Sequence, residues 1–256
     1  MKKRLLQILL VLVVLVVAGI IVVALKLDGI IKSGVETVGP KIAKVSIKLD
    51  GVSVSALSGK GELKGLVIGN PEGYKTESAI KVGGVSVGVQ PSSVFSSKII
   101  INSISVTGPE ITFEGGMKDN NLTKILANIE ASLGGGGSTE KAPADAGAQK
   151  KLQVNDLTIT DGKIKIVIPG FGGKSANVPL PNIHLSDLGK DSDGITPADL
   201  SKRIVSAVLE GSTKAVTGAL KDIGKGAVDA AASAGKAAAG NLEKATKGIG
   251  DLFKKK

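Results

Sequence analysis

The side chains that most often perform catalysis or bind metals are scarce in this chain. It contains one histidine, His184, and no cysteine. Because a nucleophile or a metal site usually needs a second such group within reach, a lone histidine is typical of a hydrogen-bonded surface or core residue. We therefore expect no catalytic residue, no metal and no cofactor, and the protein is predicted not to be an enzyme.

Two other patterns resemble ligand sites only superficially. The carboxylates Asp187, Asp191 and Asp193 lie close together, but they lack the twelve-residue spacing and terminal Glu of a calcium loop. The glycine-rich stretches at 115–116 and 170–174 lack the spacing of a phosphate loop, which ends in Lys-Ser/Thr at a helix start. The carboxylate cluster therefore predicts a solvated turn, and the glycine-rich stretches predict no phosphate site.

An apolar run at residues 5–25, directly behind three basic residues, predicts a membrane anchor. At about 1.5 Å per residue, a helix of this length spans the roughly 30 Å core of a bilayer. A cleavable signal peptide is the alternative, although its apolar core is normally only about 7–15 residues long. The positive start predicts that the remainder of the chain lies outside the cytoplasm.

The charge of the chain is strongly basic, with 33 Lys and Arg residues against 23 Asp and Glu, a net charge of +10. We expect no nucleic-acid partner, because aromatic residues make up only 2% of the chain, too few to provide stacking platforms. The predicted anchor also directs the soluble part outward. Anionic lipid headgroups, or acidic surface glycolipids, are therefore the expected partners of this charge.

Alternating apolar and polar residues predict strands through most of 45–113 and again through 157–168. One apolar and one polar face per strand predicts a one-sided antiparallel sheet. Glycine, proline and asparagine predict the turns, including a two-residue hairpin at Asp161-Gly162. The other predicted breaks are Asp50-Gly51, Gly69-Asn70-Pro71, Gly83-Gly84 and Gly108-Pro109.

Helical spacing replaces strand alternation in two places. Residues 121–133 carry apolar side chains three and four residues apart, and Asn121 is the predicted cap. After Thr196 as cap and Pro197 at the first helical position, the pattern predicts amphipathic helices. The end of the chain predicts a membrane-surface contact made by Leu242, Ile249, Leu252, Phe253, Lys254, Lys255 and Lys256.

The predicted class is therefore α+β and mainly β. We divide the chain into an anchor at 1–26, a first β-sheet unit ending in a helix at 27–133, a flexible low-complexity insert at 134–150, a second β-sheet unit at 151–196 and a basic amphipathic helical tail at 197–256.

Several segments, in this order, resemble the repeating unit of AsmA-like envelope proteins. They are GELKGLVIGNPEGY at 61–74, SISVTGPEITF at 103–113, DNNL at 119–122, LTITDGKI at 157–164 and LPNIHLSDLG at 180–189. The resemblance covers the chain from the anchor to about residue 207. It implies a single-pass protein of the bacterial inner membrane whose C-terminal part, in the periplasm, is a sheet curved into a trough.

The resemblance also implies a role in envelope biogenesis or lipid movement, with phospholipid or another anionic envelope lipid, and an envelope protein, as partners. The apolar side chains expected to face lipid are Val54, Val87, Ile104, Val106, Ile111, Phe113, Leu157, Ile159, Ile164 and Ile166. About ten strands, at roughly 4.8 Å spacing, would extend only about 50 Å, too short for one molecule to bridge two membranes.

Two alternatives remain open at the level of sequence. A one-faced sheet must bury that face, so the helices at 121–133 and after Pro197 would cover it without any lipid. The chain also resembles late-embryogenesis-abundant type 2 proteins, which combine an anchor, a closed β-sandwich and an Asn-Pro turn such as Asn70-Pro71. That resemblance implies a non-enzymatic interaction or scaffold module that docks on anionic membrane surfaces.

Overall fold

The protein is described by a computed structural model over residues 27–134, 150–167 and 175–221. The predicted anchor, almost all of the predicted insert and the predicted C-terminal membrane contact lie outside these residues. The helices are α1 (residues 27–43), α2 (Asn121–Gly134) and α3 (residues 197–221). The strands are β1 (Ile47–Lys48), β2 (Gly51–Ser55), β3 (Lys60–Gly69), β4 (Ser78–Val89), β5 (Lys98–Thr107), β6 (Glu110–Glu114), β7 (Lys151–Thr160), β8 (Lys163–Val167), β9 (Ser175–Pro179) and β10 (Ile183–Leu188).

The predicted α+β class is confirmed, but the prediction of an antiparallel sheet is wrong. All ten strands belong to one mixed sheet. Strand β5 pairs with β7 in parallel, and β6 pairs with β8 in parallel, whereas the other pairs are antiparallel. Parallel neighbours need a long crossover connection, and α2 lies in the connection between β6 and β7.

The ten strands form only six lines across the sheet, because four pairs of short strands are collinear. These pairs are β1 with β2, β5 with β6, β7 with β8 and β9 with β10. In each pair the register against the neighbouring strand is the same on both sides of the break. For example, Val106 of β5 lies opposite Val85, and Ile111 of β6 lies opposite Ile80 of the same strand β4. Six lines at about 4.8 Å spacing give a width of roughly 24 Å, half of the expected value.

The breaks in the six lines fall side by side. Continuing the registers through them places Asp50, Gly65, Gly83, Gly108, Asp161 and Pro181 in one row, which we call the crease. The backbone is left-handed at Gly65 (φ 61°), Gly108 (φ 64°) and Asp161 (φ 56°). Residues of these types tolerate such a conformation or interrupt strands.

Four of the predicted turns lie in the crease, where the chain does not reverse its direction. The segments at 50–51, 83–84, 108–109 and 161–162 do not reverse the chain but lie within the six lines. The predicted hairpin at Asp161-Gly162 is wrong because β7 pairs with β5 and β10, while β8 pairs with β6 and β9. The break predicted at Gly69 is confirmed, since β3 ends there. Strands also end at the breaks predicted at 50–51, 108–109 and 161–162, whereas 83–84 lies inside the continuous strand β4.

Apolar alternation shifts by one residue at the crease. In β4, Val82 and Val85 are both buried although they are three residues apart. An additional residue inside a strand produces such a shift, as in a β-bulge. Because every line carries the shift in the same row, the strands remain paired while apolar side chains on both sides of the crease are buried.

Helix α1 lies along the free edge of the sheet formed by β1 and β2. Asp28 accepts a hydrogen bond from the Val54 backbone N–H (2.8 Å), and Glu36 accepts one from the Leu49 N–H (2.9 Å). Unpaired N–H groups on an edge strand invite pairing with other chains. The two carboxylates of α1 therefore protect this edge.

The other two helices begin near the predicted residues. Helix α2 is confirmed, but its cap is Asn120, whose side-chain oxygen accepts the Thr123 N–H (3.0 Å). The predicted start of α3 is confirmed, since the Thr196 hydroxyl oxygen accepts the Asp199 N–H (3.0 Å). In return, the Thr196 hydroxyl donates to Asp199 (2.6 Å), which lowers the pKa of Asp199 below its ordinary value. Contacts divide the chain into a unit ending at Thr213 and a second unit starting at Lys214.

Candidate functional site

Rows of apolar side chains cross the sheet in register on both sides of the crease. We call them together the apolar face. One row contains Ile47, Ile68, Ile80, Ile111, Ile164 and Val178. Across the crease, the next row contains Val52, Leu63, Val85, Val106, Ile159 and Ile183, and the row beyond it contains Val54, Gly61, Val87, Ile104, Leu157 and Leu185.

The ten predicted lipid-facing residues all lie on this face, but they fall into two groups. Four are half-buried, on β2, β4 and β5: Val54, Val87, Ile104 and Val106. Six are no more than 4% exposed, on β6, β7 and β8: Ile111, Phe113, Leu157, Ile159, Ile164 and Ile166. Among these ten residues, only the half-buried group keeps surface that is exposed to solvent in appreciable amount.

Helix α2 accounts for much of the burial on β6. It contacts β6 and buries Leu122, Ile125 and Ile129 at the spacing that the sequence predicts. Its outer residues contact the other two helices. Asn128 donates to the Ala43 carbonyl of α1 (3.0 Å).

Helix α3 approaches the same face near β10. A Cβ added at Gly211 would lie 3.3 Å from Leu180 Cδ1 and 3.7 Å from Ile183 Cδ1, so the helix backbone passes close to both side chains. Lys202 of α3 forms an ion pair with Glu130 of α2 (3.0 Å). The two helices thus cover the side of the sheet formed by the later strands.

Lysine and acidic side chains line a groove of about 500 Å³ on the strands β4, β6 and β8. Lys81, Glu110 and Lys163 are neighbours across these three strands. Lys81 also pairs with Glu77 (2.9 Å), and this hydrogen bond lowers the pKa of Glu77. Because positive and negative side chains alternate along the groove, it favours neither anionic nor cationic ligands.

A buried polar network connects the β3–β4 loop to the start of α2. Glu114 accepts hydrogen bonds from the Lys75 N–H (2.8 Å), the Thr76 N–H (2.9 Å) and the Thr76 hydroxyl (2.5 Å). The Glu114 N–H donates to the Asn121 side chain (3.0 Å), whose amide donates to Asn70 (2.8 Å). Asn121, predicted as a cap, therefore joins the helix to this loop.

The network explains the Asn70-Pro71 turn as a structural element. Burial alone would raise the pKa of Glu114, but the hydrogen bonds from Thr76 and Lys75, with the Lys75 charge, hold it below its ordinary value. Partial burial and the negative charges of Asp119 and Glu114 raise the pKa of Tyr74 in the same loop. A tyrosine held in its neutral form is suited to packing and hydrogen bonding.

The polar residues considered as ligands are separate in the structure. His184 lies exposed on β10, with its Nε2 2.6 Å from Asp156 Oδ1 of β7. Asp187 pairs with Lys190 (3.0 Å). Within residues 27–134, 150–167 and 175–221, no group of three or more histidine or acidic side chains is arranged to hold a metal ion.

The described part of the chain is thus an α+β domain on one open mixed sheet, with an apolar face that helices α2 and α3 cover in part. None of its helices has the length and apolarity needed to cross a bilayer. No known protein family, no curated protein and no solved structure matches the chain.

Proposed function

We propose that this protein is a membrane-anchored, AsmA-like protein of the bacterial periplasm that acts in envelope biogenesis by handling lipids on its apolar face. The observation that carries the proposal is the half-buried group Val54, Val87, Ile104 and Val106. These side chains continue, in register, the rows that are fully buried further along the sheet.

An acyl chain on these strands would remove apolar surface of both partners from water. Each methylene group buried in this way contributes about 0.8 kcal/mol. We infer that the sheet curves at the crease into the trough that such contact requires. A width of about 24 Å is less than one bilayer core, so a single molecule acts at one membrane unless a partner or further copies extend it.

Photo-crosslinking in cells tests the proposal directly. A photo-reactive amino acid at Ile104 or Val106 is expected to capture phospholipid. Ser105, exposed between these two positions, is the matched control because successive residues of a strand point to opposite faces. Capture of protein alone at Ile104 and Val106, or equal lipid capture at Ser105, would contradict lipid handling by this face.

A second candidate function is a non-enzymatic interaction module that docks on anionic membranes through its C-terminal tail. The burial of six of the ten candidate residues favours it, because a covered face needs no lipid. The described strands form one sheet, however, whereas the late-embryogenesis-abundant type 2 resemblance implies a closed sandwich. Deletion of residues 224–256 from the soluble fragment that lacks the predicted anchor is expected, under this alternative, to abolish binding to anionic vesicles. In the full chain, the same deletion is expected to leave lipid crosslinking at Ile104 intact under the first proposal.

A further inference from the structure

Two neighbouring loops at one end of the sheet expose large apolar side chains. Leu57, in the β2–β3 turn, is 90% exposed, and Phe95, at the end of the short 3-10 helix Pro91–Phe95 between β4 and β5, is 94% exposed. Val94 beside it is 41% exposed. Phe95 is the most exposed large apolar side chain of the described residues. Both loops could have ended in polar residues at no cost to packing, since these side chains contribute almost nothing to the core.

The two loops are in direct contact. The Val89 N–H donates to the Gly59 carbonyl (2.7 Å), which joins the end of β4 to the β2–β3 turn. A Cβ added at Gly59 would lie 3.1 Å from Pro91, the first residue of the 3-10 helix. Leu57, Val94 and Phe95 therefore lie on two adjoining loops, and we call their exposed side chains the tip surface.

The start of α1 lies at the same end of the sheet. Asp28 accepts a hydrogen bond from the Val54 N–H. Val54 is three residues before Leu57, so the chain between Val54 and Leu57 spans at most about 10 Å. The segment predicted to span the membrane ends at Leu25, only three residues before Asp28. An anchor at 5–25 would consequently hold the tip surface next to the bilayer.

Four lysines lie on the strands and loops at this end of the sheet. Lys60 follows the β2–β3 turn, and Lys98 and Lys151 are register partners at the starts of β5 and β7. Lys150 donates a hydrogen bond to the Val94 carbonyl. Acidic residues also lie at this end of the sheet. They are Asp28 on α1, and Asp191 and Asp193 on the loop after β10, whose Gly194 packs against Lys98 and Lys151. Apolar side chains flanked by lysine are the composition that binds at the interface of a bilayer containing anionic lipid.

We infer that the tip surface inserts into the headgroup region of a phospholipid bilayer, with Leu57 and Phe95 reaching the acyl chains and the four lysines contacting anionic headgroups. The inference rests on the membrane location in the proposed function, but it does not require an acyl chain on the apolar face. It gives the anchored domain a fixed orientation, with the β2–β3 and β4–β5 loops toward the membrane.

The absence of tryptophan from the chain makes a direct test available. The full chain carrying Leu57→Trp or Phe95→Trp is reconstituted into phosphatidylcholine vesicles containing phosphatidylglycerol, with and without brominated acyl chains. Because interfacial side chains lie about 5–10 Å into the headgroup and acyl boundary, bromolipid is expected to reduce their emission about twofold or more. Their emission maximum is expected to shift to the blue.

Met117→Trp is the matched control. Met117 is also exposed and apolar, but it follows β6 at the opposite end of the sheet, so its emission should be unaffected by bromolipid. Unquenched emission from both tip variants, equal quenching of the Met117 variant, or failure of the chain to insert into vesicles would overturn the inference. Quenching at the tip without lipid crosslinking at Ile104 would refute lipid handling and leave the tip contact intact.

Discussion

Replacing Glu114 with alanine should destabilise the domain more than any exposed acidic substitution on the same strand. The change removes one carboxylate that accepts three hydrogen bonds, from Lys75 N–H, Thr76 N–H and the Thr76 hydroxyl. A typical hydrogen bond contributes about 1 kcal/mol, and one to a charged group about 1.5–3 kcal/mol. Since the loop is only part-buried, water replaces some of the lost bonds, and we expect a loss of about 3 kcal/mol.

Urea unfolding of the full chain in detergent micelles, followed by far-ultraviolet circular dichroism, measures this loss. Glu110→Ala is the matched control, because Glu110 is exposed on the same strand, and a surface change of this kind alters stability by about 0.5 kcal/mol or less. A Glu114→Ala variant as stable as the Glu110→Ala variant would refute the reasoning.

The pH dependence gives the same prediction a second test. The folded state lowers the pKa of Glu114, so the ionised carboxylate stabilises the fold above its unfolded pKa of about 4.3. That stabilisation is lost as the pH falls through the lower, folded pKa. The stability advantage of the wild-type chain over Glu114→Gln should therefore be present at pH 7 and shrink on acidification below about pH 4.

Three further substitutions test the crease and the core by the same unfolding measurement. Gly65→Ala should lower the free energy of unfolding by about 1–3 kcal/mol, because the left-handed backbone at Gly65 disfavours a side chain and the new Cβ would collide with Asp50. Gly83→Ala is the control in the same row, where the new Cβ meets open space and the stability should hardly change. Ile164→Ala should cost about 2–5 kcal/mol by opening a cavity at a fully buried position. Ser212→Ala should stabilise the chain by about 1 kcal/mol, because the buried hydroxyl has no hydrogen-bond partner among the described residues.

Helices with a long, regular spacing of apolar residues could be predicted from the sequence, but the pairing of the strands could not. Helix α2 and the start of α3 follow from apolar spacing and caps. The crease could not be predicted, because Asp161-Gly162 has the same composition whether the chain reverses or merely bends there. Helix α1 was not predicted, because Gly29, Gly34 and Gly39 reduce its intrinsic helix propensity. Its hydrogen bonds to the sheet edge stabilise the helix instead.

The candidate site was predictable only in part for a similar reason. Alternation places Ile104 and Ile164 on an apolar face, but helix packing decides that one is half-buried and the other fully buried. The tip surface has no periodic signal, because Leu57 and Phe95 are single apolar residues in short loops. The hydrogen bonds of Glu114 to the β3–β4 loop could not be predicted either, because Lys75 and Thr76 lie about forty residues away in sequence.

The crossover between β6 and β7 also determines when the protein is most vulnerable during its own synthesis. Strands β5 and β6 must wait for parallel partners about fifty residues further along the chain. At roughly 5–20 residues per second, their open edge stays unpaired for roughly 3–10 seconds. An open edge of this kind pairs readily with other chains. Aggregation should therefore depend on the rate at which β7 and β8 emerge, even for variants whose final stability is unchanged.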